Sequence, residues 1–155
     1  MTNTHIELVS ASNLSAINIV AEWYSIEWNI PIQTTIQKFN DLFDERSQFQ
    51  VLLTNDGVPI TTGGVYNYVG LLDREPSLKV YENWLALVYT QPEYRGQGYG
   101  ALICEFIANH AKFLGLKELY LFTHTAESLY KRLGWQPTER LTLGGKAIVI
   151  MKKEL

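Results

Sequence analysis

The spacing of apolar residues changes period several times along the chain, and each change marks a predicted element. Ile6 and Leu8, separated by a polar residue, predict a short opening strand. Leu14, Ile17, Ala21, Tyr24 and Trp28 recur at three- and four-residue spacing, so residues 12–28 predict an amphipathic helix with Ser10 or Ser12 as N-cap. Pro31 ends it. Thr34 and Gln37 stand at capping-box spacing, and Ile36, Phe39, Leu42 and Phe43 supply an apolar face, predicting a second helix over 35–45. The period then falls to two. Phe49, Val51 and Leu53 alternate with Gln50, Leu52 and Thr54, as a strand should. Asn55-Asp56-Gly57 tolerates positive φ and predicts a hairpin turn into a strand from Pro59 to Val69.

Residues 71–79 read as a loop around Pro76, and Tyr81–Thr90 as a strand rich in aromatic and β-branched residues. A glycine-rich segment interrupts the pattern before Leu102, Ile103, Phe106, Ile107, Ala111 and Leu114 resume a helical stripe capped by Gly115. Glu118–Phe122 predicts a strand and Ala126–Leu133 a short helix closed by Gly134. Glu139–Leu143 and Ala147–Lys152 predict a closing hairpin around Gly144-Gly145. The order β-α-α-β-β-β-α-β-α-β-β is an α/β arrangement with a mixed sheet.

The chain has 155 residues, which is the size of one domain, taken as residues 1–155, with a core that needs no disulfide. A net charge of −3 argues against a nucleic-acid partner, which normally meets a basic face. The single cysteine, Cys104, excludes a disulfide framework, and His5 and His110 have no partner at metal-ligand spacing, so no metal is expected. The longest uncharged stretch, residues 57–72, contains four glycines and a proline and does not suit a membrane helix. The opening residues lack a positive run followed by an apolar core, so the expectation is a soluble, cytoplasmic protein without a membrane partner. A homodimer is left open.

The segment over residues 84–101 is the most informative. A strand runs into Arg95-Gly96-Gln97-Gly98-Tyr99-Gly100, and a helix starts at once. Consecutive backbone N–H groups at a helix N-terminus make an anion cradle, and glycine lets a phosphate approach closely. The spacing is neither the P-loop nor the dinucleotide fingerprint.

These residues resemble the GNAT superfamily of acyl-CoA-dependent N-acyltransferases, whose signature is Arg/Gln-x-x-Gly-x-Gly/Ala. The run-in Val88-Tyr89-Thr90-Gln91-Pro92-Glu93-Tyr94 is similar, and Ala126-Glu127-Ser128-Leu129-Tyr130-Lys131-Arg132-Leu133-Gly134-Trp135 resembles the family's second motif. Thr123-His124-Thr125 stands where many members carry a pantetheine-contacting asparagine. The fold implied is α/β in the mixed α+β sense: a central, mostly antiparallel twisted sheet of six to seven strands flanked by about four helices. The activity implied is N-acetyltransfer from acetyl-CoA to a small-molecule or peptide amine. A non-catalytic acyl-CoA-binding domain is the alternative.

Carried onto this chain, the resemblance sets backbone groups of Val88, Tyr89 and Thr90 along the pantetheine. It sets Arg95, Gly96, Gln97, Gly98, Tyr99, Gly100 and Ala101 around the pyrophosphate. Tyr130 falls at the general-acid position. Glu82, at the head of the strand, is the first candidate base and His124 the second. Tyr66, Trp23, Trp28 and Trp84 are expected in the core or in acceptor-cleft walls, and Cys104 as a packed small side chain.

Overall fold

The structure is a computed structural model that describes residues 3–155. Its elements run β1 (Thr4–Leu8), α1 (Leu14–Trp28), α2 (Ile32–Leu42), β2 (Phe49–Asn55), β3 (Val58–Tyr66), α3 (Leu71–Arg74), β4 (Trp84–Thr90), α4 (Tyr99–Phe113), β5 (Glu118–Thr123), α5 (Glu127–Arg132), β6 (Gln136–Leu143) and β7 (Lys146–Glu154). Short 3₁₀ turns fill Pro76–Val80 and Pro92–Tyr94. One seven-stranded sheet carries the order β1-β2-β3-β4-β5-β7-β6, and among its pairs only β4–β5 is parallel. The expected mixed, mostly antiparallel sheet is therefore present.

The sheet divides the core into two layers. On one face, Val20, Trp23 and Tyr24 of α1 and Phe39 and Leu42 of α2 pack against Leu52, Tyr66, Trp84 and Tyr89. On the other, Ile103, Ile107 and Ala111 of α4 pack against Val51, Leu53, Val65, Leu85 and Leu119. Both faces of the central strands are thereby dry.

The predicted strand is present as β2, and the double cover buries both of its faces: Gln50 is 0% and Leu52 3% exposed. The differences are local. The N-cap of α1 is Asn13, whose side chain accepts from the Ala16 amide at 3.1 Å, and not a serine. The second helix begins at Ile32 directly after Pro31, so Thr34 and Gln37 lie inside it. Residues 71–79 are not a plain loop: Leu71 and Leu72 are buried, and this helical turn brings the helix count to five. The hairpin turn is as expected, with Asp56 at φ 49° and Gly57 at φ 81°, as a two-residue primed turn requires.

Gly64 of β3 is needed for close approach. A Cβ there would lie 2.5 Å from Gln50 Oε1 and 2.5 Å from the Phe49 carbonyl. Gly70 has nothing within 4 Å of its Cβ position. Gly64→Ala is therefore expected to destabilise by about 2 kcal/mol through overpacking, and Gly70→Ala by less than about 0.5 kcal/mol, as at an ordinary surface position. Urea unfolding of both variants checks the contrast; equal midpoints contradict it.

Candidate active site

β4 is irregular where it matters. Thr62 pairs with Tyr89 and Gly64 with Ala86, so Leu87 and Val88 together oppose Gly63. This is a β-bulge, which bends the strand and raises its twist. Leu87 sits at φ 58°, a left-handed conformation that costs a leucine about 1–2 kcal/mol. On its other edge β4 pairs with β5 at one position, Trp84↔Tyr120. Beyond it the two parallel strands part.

The closed end of this wedge is locked by aromatic packing. Tyr81 stacks on Tyr120 with centroids 4.2 Å apart, and Trp84 lies 6.0 Å from Tyr120. The Tyr120 amide donates to the Asn83 carbonyl at 2.8 Å. At the open end the chain turns through Pro92–Tyr94 into α4.

Gly96 and Gly98 have φ of 77° and 88°, and Gly98 caps α4 without any side-chain bond. Among the described residues, the amides of Gly96 through Ala101 donate to no protein acceptor. Cβ atoms at Gly96 and Gly98 would meet nothing within 4 Å, and one at Gly100 would meet only Thr90 Oγ1 at 3.9 Å. The loop therefore frames open space with unpaired donors and the positive end of a fifteen-residue helix.

The Arg95 side chain is committed to the loop itself. Its Nε donates to the Thr90 carbonyl at 2.8 Å, its Nη2 lies 3.6 Å from Glu27 Oε2, and the guanidinium stands 5.4 Å from the centre of the Tyr89 ring. These contacts tie the cradle to the C-terminal half of α1, where Trp23 and Trp28 also meet Tyr89, at 5.4 and 6.0 Å. Among the expected wall residues, Trp84 and Trp23 are buried, while Trp28 is 41% exposed beside the loop. Within β4 the Val88 side chain faces α4, whereas Tyr89 joins the α1 layer. Thr61 Oγ1 lies 2.6 Å from the Tyr89 carbonyl and 3.0 Å from Thr90 Oγ1.

Tyr130 lies on α5, packed edge-on against Trp135 at 6.1 Å. Burial, with the neighbouring Cys104 thiol second, pushes its phenol pKa well above the ordinary value. Cys104 is 3% exposed, and burial pushes its thiol up to about 12. Both groups stay protonated at neutral pH.

The two candidate bases differ in setting. Glu82 is exposed and precedes β4, at the closed end of the wedge. The imidazole of His124 follows β5, on the open side. Its Nδ1 lies 2.8 Å from the Ala147 carbonyl, which only accepts, so Nδ1 carries a proton. In the neutral ring Nε2 then keeps its lone pair. His124 lines a cavity of about 230 Å³ with Glu127, Arg140, Leu141 and Ile148. Glu127 accepts two bonds from Arg140, at 2.8 and 2.7 Å, and pairs with Lys131 at 3.1 Å. First the Arg140 guanidinium and then Lys131 hold its carboxyl down at about 2.

Sequence reasoning missed the groups that hold the bulge. The Tyr24 hydroxyl donates to the Leu87 carbonyl at 2.6 Å and accepts from Gln50 Nε2 at 2.9 Å. Gln50 Nε2 also donates to Thr62 Oγ1 at 2.8 Å, and Tyr66 donates to Gln50 Oε1. Thr62 Oγ1 donates to the Val51 carbonyl at 2.7 Å. All four side chains are at most 1% exposed. The one available signal was a glutamine amid the apolar run of β2. Tyr66, expected in the core or in a cleft wall, belongs to this buried network. Among the described residues no group of side chains suits a metal ion, and no helix is long and apolar enough to cross a membrane.

Comparison with known proteins bears on the family and the fold. The acetyltransferase (GNAT) domain family matches residues 46–137, more than half of the chain. An amino-acid acetyltransferase from Photorhabdus laumondii is 28% identical over 89 residues, covering 57% of this chain and 18% of that protein. The chain thus spans about a fifth of that relative's length. An acetyltransferase of the GNAT family from Streptococcus pneumoniae superposes with a TM-score of 0.75 at 15% identity, covering 99% of each chain. An aminoglycoside 6′-N-acetyltransferase complexed with coenzyme A gives 0.74 at 11%, over 97% of this chain and 96% of that one. A Salmonella typhimurium protein solved with its cofactor acetyl-CoA gives 0.72 at 12%, over 97% and 93%.

The Glu127–Arg140 clasp carries a pH signature. A carboxyl held at about 2 against an ordinary 4.5 contributes stability that is fully present above pH 4.5 and is lost as pH falls through 2. Carbon-detected NMR titration is expected to place the Glu127 midpoint far below 4.5. Arg140→Gln should move that midpoint upward; an unmoved midpoint contradicts the assignment.

Proposed function

The chain belongs to the GNAT acetyltransferase family, and we propose that it transfers the acetyl group of acetyl-CoA to a primary amine by direct attack in a ternary complex. The reading takes the chain as one acetyltransferase domain. The observation that carries it is the parting of β4 from β5 directly before a loop of unpaired amides. An acyl-pantetheine arm fits beside a strand edge that has lost its partner, pairing by main-chain hydrogen bonds. Its pyrophosphate fits the amides of residues 96–101 at the α4 N-terminus. Arg95 supports this loop through Thr90 and Glu27.

The chemistry follows from what surrounds the wedge. An alkylammonium, with a pKa of about 10, must lose a proton before it attacks. We assign this proton to His124 Nε2, whose tautomer is supported by the Nδ1 contact with the Ala147 carbonyl, with Glu82 as the alternative base. The amine nitrogen then bonds to the thioester carbonyl carbon, and a β4 amide at the bulge stabilises the oxyanion. As the C–S bond breaks, Tyr130 donates its proton to the departing thiolate. The nitrogen's second proton returns through solvent to the Tyr130 phenolate, and His124 releases the first proton to bulk water. The products are the acetamide and free coenzyme A.

Gly100 separates cradle from fold, because its backbone is helical and its Cβ position is open. Gly100→Val is expected to weaken coenzyme A binding by at least about tenfold, or about 1.4 kcal/mol, with urea stability retained. Unchanged affinity by calorimetry, in the folded variant, contradicts the cradle.

The proton-transfer roles separate in pH–rate profiles, measured on an acceptor found by screening an amine library for acetylated products. Tyr130→Phe should lower kcat by roughly ten- to a thousandfold, with acetyl-CoA affinity kept. His124→Ala should lower kcat/KM most near pH 7 and progressively less toward pH 9, where free amine is abundant. Glu82→Gln should leave the profile intact. An unaltered kcat in Tyr130→Phe returns that residue to packing, and the histidine's signature appearing in Glu82→Gln moves the base there. Binding of acetyl-CoA without transfer to any amine favours a non-catalytic binding domain instead.

A further inference from the structure

We infer that Tyr24 and Gln50 are positioning residues for the donor: through the Leu87 carbonyl they hold the β4 bulge in the shape that frees the strand edge for the pantetheine arm. The inference rests on the acyl-CoA reading above and adds to it residues from α1 and β2 that face away from the cradle loop.

Three observations carry it. First, Leu87 adopts φ 58° without being glycine, so the bulge stands only if its surroundings over-determine it. Second, the Leu87 carbonyl, displaced by the bulge, accepts from Tyr24 at 2.6 Å. Third, the Tyr24 hydroxyl cannot turn away. Gln50 Nε2 donates to it at 2.9 Å, and that amide is fixed by Thr62 at 2.8 Å and by Tyr66 on its oxygen. Each proton in the chain from Tyr66 to Leu87 has one acceptor, which leaves the network a single direction. Burial keeps both phenols protonated, since it pushes their pKa values well up. Gly63 completes the seat, because a Cβ there would press on Val88 and Ile107 at 3.1 Å. A merely structural network would stabilise the sheet anywhere; this one ends on the residue that bends β4.

The test compares two ligands that share the pyrophosphate. Coenzyme A has the pantetheine arm, and 3′-phospho-ADP lacks it. In Tyr24→Phe, coenzyme A affinity is expected to fall at least about tenfold while 3′-phospho-ADP affinity holds within about twofold. Leu87 carbonyl and Cα NMR shifts of the ligand-free variant should move away from the left-handed, hydrogen-bonded values. Tyr66→Phe, two bonds further back, should show the same pattern at smaller size. Leu53→Val, a buried change in the opposite layer, is the control for lost stability and should alter neither ligand's affinity.

Unchanged Leu87 shifts in Tyr24→Phe overturn the clamp, and so does equal weakening of both ligands. Should the parent protein bind neither ligand, the acyl-CoA reading fails, and the positioning role falls with it. Parent binding with a parent-like Tyr24→Phe overturns the inference alone.

Discussion

A single extra residue in β4 organises the rest of this molecule. β3 and β4 are in register at Thr62↔Tyr89 and again at Gly64↔Ala86, with three steps on one strand matched to two on the other. The strand bends between them, and its far edge meets β5 only at Trp84↔Tyr120. A parallel pair that parts after one position leaves backbone groups unpaired beside a cleft, which sheets ordinarily avoid. The surrounding structure makes this arrangement stable. Aromatic stacking of Tyr81, Trp84 and Tyr120 closes one end, and α4 seats against Gly63 and Val88 on one face. Buried hydrogen bonds fix the bulge from the other face.

Burying four polar side chains in that layer is costly unless every donor and acceptor is satisfied. The network meets this condition, and no buried side-chain nitrogen or oxygen among the described residues lacks a partner. A net contribution of about 1 kcal/mol per bond is of the same order as the strain at Leu87. The network thus trades stability for shape, and the open amides of residues 96–101 sit at the end of the strand it shapes. Arg95 joins the two regions, since it touches Thr90, Glu27 and Tyr89.

The fold was legible in the sequence wherever local chemistry decided it. Helical spacing located α1 and α4, Asp56-Gly57 located the first hairpin, and Gly96, Gly98 and Gly100 located the loop before α4. Boundaries moved where a nearer cap competed, as Asn13 did with the serines. Two things were not legible. Period-two alternation marks β2 as a strand and carries no information about a second layer of helices, so the burial of Gln50 was not foreseen. The bulge depends on partners 63 residues apart in sequence, Tyr24 and Leu87, and no local pattern marks it. In the candidate site, the loop before α4 was legible because glycine spacing is local. The positions of Glu82, before β4, and His124, after β5, relative to the wedge exist only after folding.

The central claim is that the β4–β5 wedge and the amides before α4 form one acyl-CoA site. Backbone NMR of the protein titrated with coenzyme A tests it most directly. The account predicts that the largest amide shifts fall on residues 88–90 and 96–101, with smaller ones around Tyr130. No shift at all, or shifts confined to α2, α3 and the β6–β7 hairpin, would contradict it.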